Sequence, residues 1–453
     1  MKPTQTIGIF HYQLGMTDGV SLEVEKWKTV LDRMGHRVFL CAGRFGQNEE
    51  VLLPDLFHHQ PEIELINQNI FGGAHSLSVQ TLDRLISEHK HALKAALRNI
   101  ILQNGIDCLL VNNIWSVAMN IPAAVALEEV RQELGLQAVA HHHDFYWEKK
   151  IKPDLENPVV ENILETFLPP RDHKIKHVVI NSLAQSSLAE YKRIASTIVP
   201  NVFDFDGPEW VLDAYNRDLR QAIGLKEDDI CILQATRIIP RKGIELAVDL
   251  VEALNAPQRR AKLQALGLYN GKAFSLESKI VLVLAGYDRD DPTGAYLERL
   301  KMRAADAGVD LRHIGSLIGP VRSHENGSKI YSLWDSYTIA DLVSYPSLWE
   351  GWGNQLLEAV RAKLPVALFE YPVYLADIKN EKFEVITLGS DITSWDRYNL
   401  VKISDKILQA AADRCVDYLT DRTLRERVAR KNYRIAKQHY SYDRLQDQLI
   451  KLF

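Results

Sequence analysis

The stretch CILQATRIIPRKGIELAV, residues 231–248, runs from a strand through a turn into a helix. "CILQATR" (231–237) is a short apolar run of the length that suits a parallel strand covered on both faces. Arg237 ends it, Pro240 stiffens the turn, and Lys242-Gly243 opens the helix. The same rhythm continues downstream with "KIVLVLAG" (279–286), "VDLRHIG" (309–315), "ADLVSYPS" (340–347) and "PVALFE" (365–370). Upstream lies "DFDGPEWVLDAYNRDLRQAIGLKEDD" (204–229), which is polar, lacks a strand signal and reads as a linker with one short helix. Before it the rhythm is already present in "TIGIFH" (6–11), "RVFLCAG" (37–43), "DCLLVNN" (107–113), "QAVAHHH" (137–143), "HVVINS" (177–182) and "STIVPN" (196–201). Strands alternating with helical spacing imply a parallel sheet wound with helices. An α/β chain of two successive doubly wound halves is the most economical reading. From about 402 onward the pattern is nearly all helical.

Composition bounds the function. A chain of 453 residues predicts two or three cores. Its 46% hydrophobic and 25% charged residues are those of a globular protein. The net charge of −5, with acids and bases interspersed, leaves no electrostatic footprint for nucleic acid. The opening "MKPTQTIGIFHYQLG" lacks the apolar region of a signal peptide, and no apolar run reaches the roughly 18 residues of a bilayer span. Cys41, Cys108, Cys231 and Cys415 are far apart, with no CxxC spacing, and read as reduced, mostly buried thiols. A cytoplasmic enzyme is expected. "HKHALKAALRNIILQ" (89–103) is amphipathic and locally basic, as a membrane-surface helix would be, but most such helices simply cover a sheet.

Ligands of open α/β sheets bind beyond the carboxyl ends of strands, so the residues after each strand carry the chemistry. After "TIGIFH", Gly15 and Gly19 allow a tight loop before a helical stretch whose N-terminus can offer amides to an anion; the alternative is an ordinary βα turn. After "QAVA" comes "HHHDFYWE". Side chains alternate on a strand, so His141 and His143 share one side while His142 points to the other. Only Asp144 stands nearby as a metal partner, and no metal site is read here. A neutral histidine at the strand end, able to donate or accept, is the functional reading; one satisfied within its domain is the structural one.

After "CILQAT", Arg237 and Lys242 put a forked and a compact cation at the positive end of a helix, which makes an anion site. Arg241 reads as the third and least constrained cation, a solvated loop residue. After "ADLVSYPS" comes "LWEGWGNQLLEAVRAKL" (348–364). Leu356, Leu357, Val360 and Leu364 fit one buried helix face, Asn354 is a plausible N-cap, and Gly351 and Gly353 allow backbone to approach a ligand. Glu350 precedes the helix and Glu358 lies inside it. The two are held apart, as carboxylates with different jobs should be.

Together these stretches resemble the retaining glycosyltransferases of family 4, which have the GT-B fold. "RIIPRKG" is similar to the family's Arg-x4-Lys-Gly, and "YPSLWEGWGNQLLEA" (345–359) to its Pro-Ser-x2-Glu-Gly-aromatic-Gly…Glu-Ala; "HHHDFYW" and the first loop match as well. The resemblance implies two Rossmann-like domains facing across a cleft. Residues 1–203 would lie mainly on the acceptor side, joined by a C-terminal helix of about 436–453, and 204–435 on the donor side. It implies a hexosyltransferase that moves glucose or mannose from a UDP-, GDP- or ADP-hexose to a hydroxyl of a small soluble or glycan acceptor. Retention, a front-face mechanism, and no required cofactor or metal come with it. Arg237 and Lys242 would grip the donor diphosphate, and Glu358 would accept from the ribose hydroxyls. Glu350 would face the hexose and diphosphate, and Gly351, Trp352, Gly353 and Asn354 would supply the turn around the phosphates. His143 would reach the hexose from the opposite domain, and Gly19 would bring an amide to the phosphates. Three departures bear on sugar and base selection: Asn354-Gln355 in place of Leu-Pro, "AGYDRDD" (285–291) in place of Gly-x-Gly, and Asp18-Gly19 in place of Gly-Gly. The competing readings are a nucleotide-sugar epimerase of the same architecture and a non-enzymatic two-lobed sugar-binding protein.

Overall fold

The computed structural model describes residues 4–16, 18–46, 49–72, 76–148, 152–287, 290–291, 293–325 and 327–453. It forms two compact units. The first runs to Val202 and takes back Tyr442–Phe453; the second is Phe203–Ser441.

The sheet of the first unit contains β1 (Thr6–His11), β2 (Arg37–Ala42), β3 (Val51–Leu52), β4 (Cys108–Asn112), β5 (Gln137–His142), β6 (Ile175–Val179) and β7 (Ser196–Ile198). Their order is β3-β2-β1-β4-β5-β6-β7. Every pair is parallel, with Ile9 opposite both Leu40 and Leu110. Both faces are buried, as a parallel sheet requires. Ile7 and Ile9 point into one core with Trp27 and Leu31 of helix Gly19–Arg33, while Phe10 points into the other with Leu93 and Leu97 of helix Val79–Gln103. The last helix, Tyr442–Leu452, adds Leu445 and Leu449 to the Ile7 side.

The second unit contains β8 (Ile230–Gln234), β9 (Ile280–Leu284) and β10 (Asp310–His313), then a small three-stranded sheet of β11 (Ile318–Gly319), β12 (Ser323–Glu325) and β13 (Ser328–Ser332). The main sheet resumes with β14 (Leu342–Tyr345), β15 (Val366–Leu368) and β16 (Ile386–Thr387), in the order β10-β9-β8-β14-β15-β16, again all parallel. Helix Leu219–Ala222 is the short helix expected in the 204–229 stretch. The chain re-enters the first unit at Tyr442, because helix Arg422–Tyr440 stays in the second. Of "AGYDRDD", residues 288–289 lie outside the described residues.

The run 177–182 ends as a strand at Val179, because Asn181 turns to cap the helix beginning at Ser182, accepting from the Ala184 amide at 2.7 Å. The basic helix 89–103 covers the sheet with Leu93, Leu97 and Ile101. Its lysines are spoken for within the unit: Lys90 pairs with Glu129 at 3.0 Å, and Lys94 with Glu129 at 2.7 Å and Glu133 at 2.5 Å. Among the described residues, no helix is long and apolar enough to cross a membrane. All four cysteines are buried and unbridged, and burial pushes each thiol far above its usual range.

Leu449 is fully enclosed, so Leu449→Ala should remove about 2–5 kcal/mol of stability. In hydrogen exchange read by mass spectrometry, peptides from β1, β4 and helix Gly19–Arg33 should lose protection while those from β8 and β14 keep theirs. Unchanged protection in the first unit would remove the last helix from its core.

Candidate functional site

In the second sheet, the chain leaves β8 toward β9 on one side and leaves β14 toward β15 on the other. The loops after β8 and β14 therefore meet at the reversal of strand order, the position where such sheets bind ligands. After β8 comes a tight turn, Pro240–Lys242, then Gly243 at φ +56°, then helix Ile244–Leu254. A Cβ on Gly243 would lie 2.4 Å from the carbonyl oxygen of Pro346. Glycine is thus required twice, by its dihedral and by the neighbouring backbone. Two positions on, the Leu348 amide donates to the Arg241 carbonyl at 2.9 Å. The two loops are in backbone contact.

That contact brings charges together. Lys242 Nζ is ion-paired with Glu350 Oε1, and Arg241 Nη1 donates to Glu350 Oε2 at 3.1 Å and to the Trp349 carbonyl at 3.1 Å. The Lys242 and Glu350 side chains are only 9% and 11% exposed. Burial alone would raise the Glu350 carboxyl, but Lys242 and Arg241 outweigh it and hold the group below the usual carboxylate range. Burial pulls the Lys242 ammonium down, against the attraction of Glu350. Arg241 is therefore not the unconstrained solvated cation expected from the sequence. Arg237, also at the end of β8, is ion-paired with Asp290 in the loop after β9.

The turn between the two glutamates is built inward. Trp352 is buried, with its ring 5.5 Å from that of Tyr440, so this side chain anchors the turn. A Cβ on Gly353 would meet Tyr371 Oη at 2.8 Å. Asn354 is the first residue of helix Asn354–Arg361, and its N-cap is Gly353, which has no side chain to occupy the helix amides; this corrects the expected Asn354 cap. Gly351 precedes this buried turn. Leu364 is buried but lies beyond the helix, which ends at Arg361. Glu358, inside the helix, accepts from Tyr337 Oη at 2.6 Å. The first amide of helix Ile244–Leu254 is taken: Ile244 N–H donates to Tyr296 Oη at 2.9 Å.

Gly19 and His143 belong to the first unit. Gly19 is the first residue of its helix, and the positive end there is occupied by the chain's own Asp18, whose Oδ1 accepts from the amides of Val20 and Ser21 at 3.0 Å. At the end of β5 the histidines alternate as expected. His141 stacks on Trp27 at 4.3 Å and lies 4.3 Å from the ring of His143, whereas His142 Nε2 faces His177 Nδ1 at 3.0 Å on the other side. The His143 amide donates to Asn113 Oδ1 at 2.8 Å, and its Nε2 is buried without a protein partner. Burial, with His11 nearby, pushes this ring down to about 3, so it is neutral at physiological pH. Among the described residues, no group of three or more histidines, cysteines or acids is placed to hold a metal.

Arg241, Tyr337 and Asp290 are the members of this arrangement that the sequence reading missed. The adjacency Arg241-Lys242 was a visible signal for the first; nothing in the spacing reveals the other two.

The family model for glycosyl transferases group 1 matches residues 216–433. The chain is 38% identical over 384 residues to a mannosylglucosylglycerate synthase of Petrotoga mobilis, covering 85% of this chain and 86% of the relative. It is 37% identical over 451 residues to a mannosylglucosylglycerate synthase of Thermotoga maritima, covering 98% and 99%. Among solved structures, the sucrose-phosphate synthase of Thermosynechococcus elongatus gives a TM-score of 0.60 at 14% identity, covering 99% of this chain and 98% of that one. At that identity the likeness is one of fold, the paired Rossmann-like domains of GT-B glycosyltransferases.

Gly243→Ala should force the β8 and β14 loops apart. Strain of this kind costs about 1–3 kcal/mol, so chemical denaturation should show a loss of that size. A variant as stable as the parent would mean that the loops are not locked at Gly243.

Proposed function

The chain belongs to the glycosyl transferase group 1 family and is a glycosyltransferase; on that premise we propose that it transfers mannose from a nucleotide-diphosphate mannose to glucosylglycerate. Transfer retains the anomeric configuration and needs no metal. The sugar and acceptor follow from the product for which both relatives are named. The observation that carries the chemistry is the Lys242–Glu350 pair, enclosed where the strand order reverses.

The bond from the anomeric carbon to the phosphate oxygen breaks, and its electron pair leaves with the nucleoside diphosphate. The acceptor oxygen bonds to the same face of that carbon, and its proton passes to the departing phosphate. Lys242 turns from Glu350 to the diphosphate, joined by Arg237 and by the amides that open helix Asn354–Arg361. Fixed cations and oriented dipoles of this kind stabilise charge as it develops, at about 3–4 kcal/mol for one donor. These protein groups supply the neutralisation that a divalent ion would otherwise give. Glu350 faces the sugar, whose ring carries positive charge in the transition state, and Glu358 accepts from the ribose. The donor is assigned to Phe203–Ser441 and the acceptor to the first unit.

UDP-, GDP- and ADP-linked mannose and glucose, each with and without glucosylglycerate, test the reading. One nucleotide-mannose should give product only with acceptor, in excess EDTA as well, and proton NMR should show the donor's anomeric configuration. Lys242→Ala and Glu350→Ala should lower kcat about 100- to 1000-fold with unchanged circular dichroism. Conversion of a donor to another nucleotide sugar without acceptor would make the protein an epimerase and overturn the proposal.

A further inference from the structure

We propose that Arg241 is a positioning residue for transfer: it holds the Glu350 carboxylate in place while Lys242 leaves it for the donor diphosphate. This rests on the roles given to Glu350 and Lys242 above. The two oxygens of Glu350 are shared out, Oε1 to Lys242 and Oε2 to Arg241. A lysine that turns to a diphosphate surrenders one of those contacts. The carboxylate is largely enclosed, and an enclosed charge left without a partner is strongly destabilising. Arg241 is the group that prevents this.

Its anchoring does not depend on Glu350. The Arg241 carbonyl accepts from the Leu348 amide at 2.9 Å, its Nη1 also donates to the Trp349 carbonyl at 3.1 Å, and its guanidinium lies 5.7 Å from the Trp349 ring centroid. The Arg241 backbone thus ties the turn after β14 to the turn after β8, and its guanidinium holds residues 349 and 350. The planar guanidinium reaches the Trp349 carbonyl, the Trp349 ring and the carboxylate together; an ammonium matches the charge without that plane. The Ser347 hydroxyl beside the carboxylate carries no charge, and the other groups facing Glu350 cannot replace a cation. Arg237 acts on it electrostatically but is paired with Asp290, and Tyr345 and Tyr371 are buried phenols pushed well above their usual range, hence neutral. With Lys242 turned away, Arg241 is the cation left in contact with the carboxylate.

The test compares Arg241→Gln and Arg241→Lys with the parent and with Glu350→Gln, using the nucleotide sugar that supports turnover. Arg241→Gln should lower kcat at least about tenfold while the donor KM changes less than about threefold. Losing a neighbouring cation raises the carboxyl's pKa, so the acid limb of the kcat profile should move to higher pH. Arg241→Lys should return the limb toward its original position but recover kcat only in part. An Arg241→Gln enzyme with parental kcat and an unmoved limb overturns the proposal. So does a rise in KM at constant kcat, which would make Arg241 a donor ligand. A fully active Glu350→Gln enzyme instead overturns the role of Glu350, and the two failures are told apart.

Discussion

A carboxylate and two cations meet where the strand order of the second sheet reverses, the carboxylate and the lysine nearly enclosed and Arg241 at the rim. Such a grouping is poor value as a stabilising device, because desolvating the charges costs about as much as their attraction returns. Apolar side chains of similar volume would hold the loops equally well. What they would not provide is positive charge fixed at the mouth of a parallel sheet, with its solvation cost already met by a partner. Gly243, the Pro346 carbonyl beside it and the buried Trp352 keep that arrangement in shape.

The two units differ in how they treat charge at the ends of their strands. In the second, Arg237, Arg241 and Lys242 converge on acids that hold them in place. In the first, the helix after β1 is capped by its own Asp18, and the histidines around the end of β5 are buried and neutral.

Much of this was legible in the chain. The run 6–11 is β1 to the residue, and the period of two along β5 told which way each histidine would turn. The two-residue edge strands β3 and β16 were not, because so short a segment carries no periodicity. Lys242 and Glu350 could be named from their motifs, but their contact spans more than a hundred residues and depends on β8 lying beside β14. Arg241 was misread for the same reason. Local spacing describes its own turn and says nothing of the turn that folds against it. Asn354 looked like a cap by residue type, yet the backbone enters the helix one position earlier.

The sealed thiols have a use of their own. Cys41 and Cys108 lie in strands of the first unit, Cys231 in β8 and Cys415 in the core of the second. A thiol held this far from ionisation and from solvent ignores oxidants and alkylating reagents until its surroundings open. Each modification is therefore a record of one excursion from the native fold, stamped on a residue that says which half came apart.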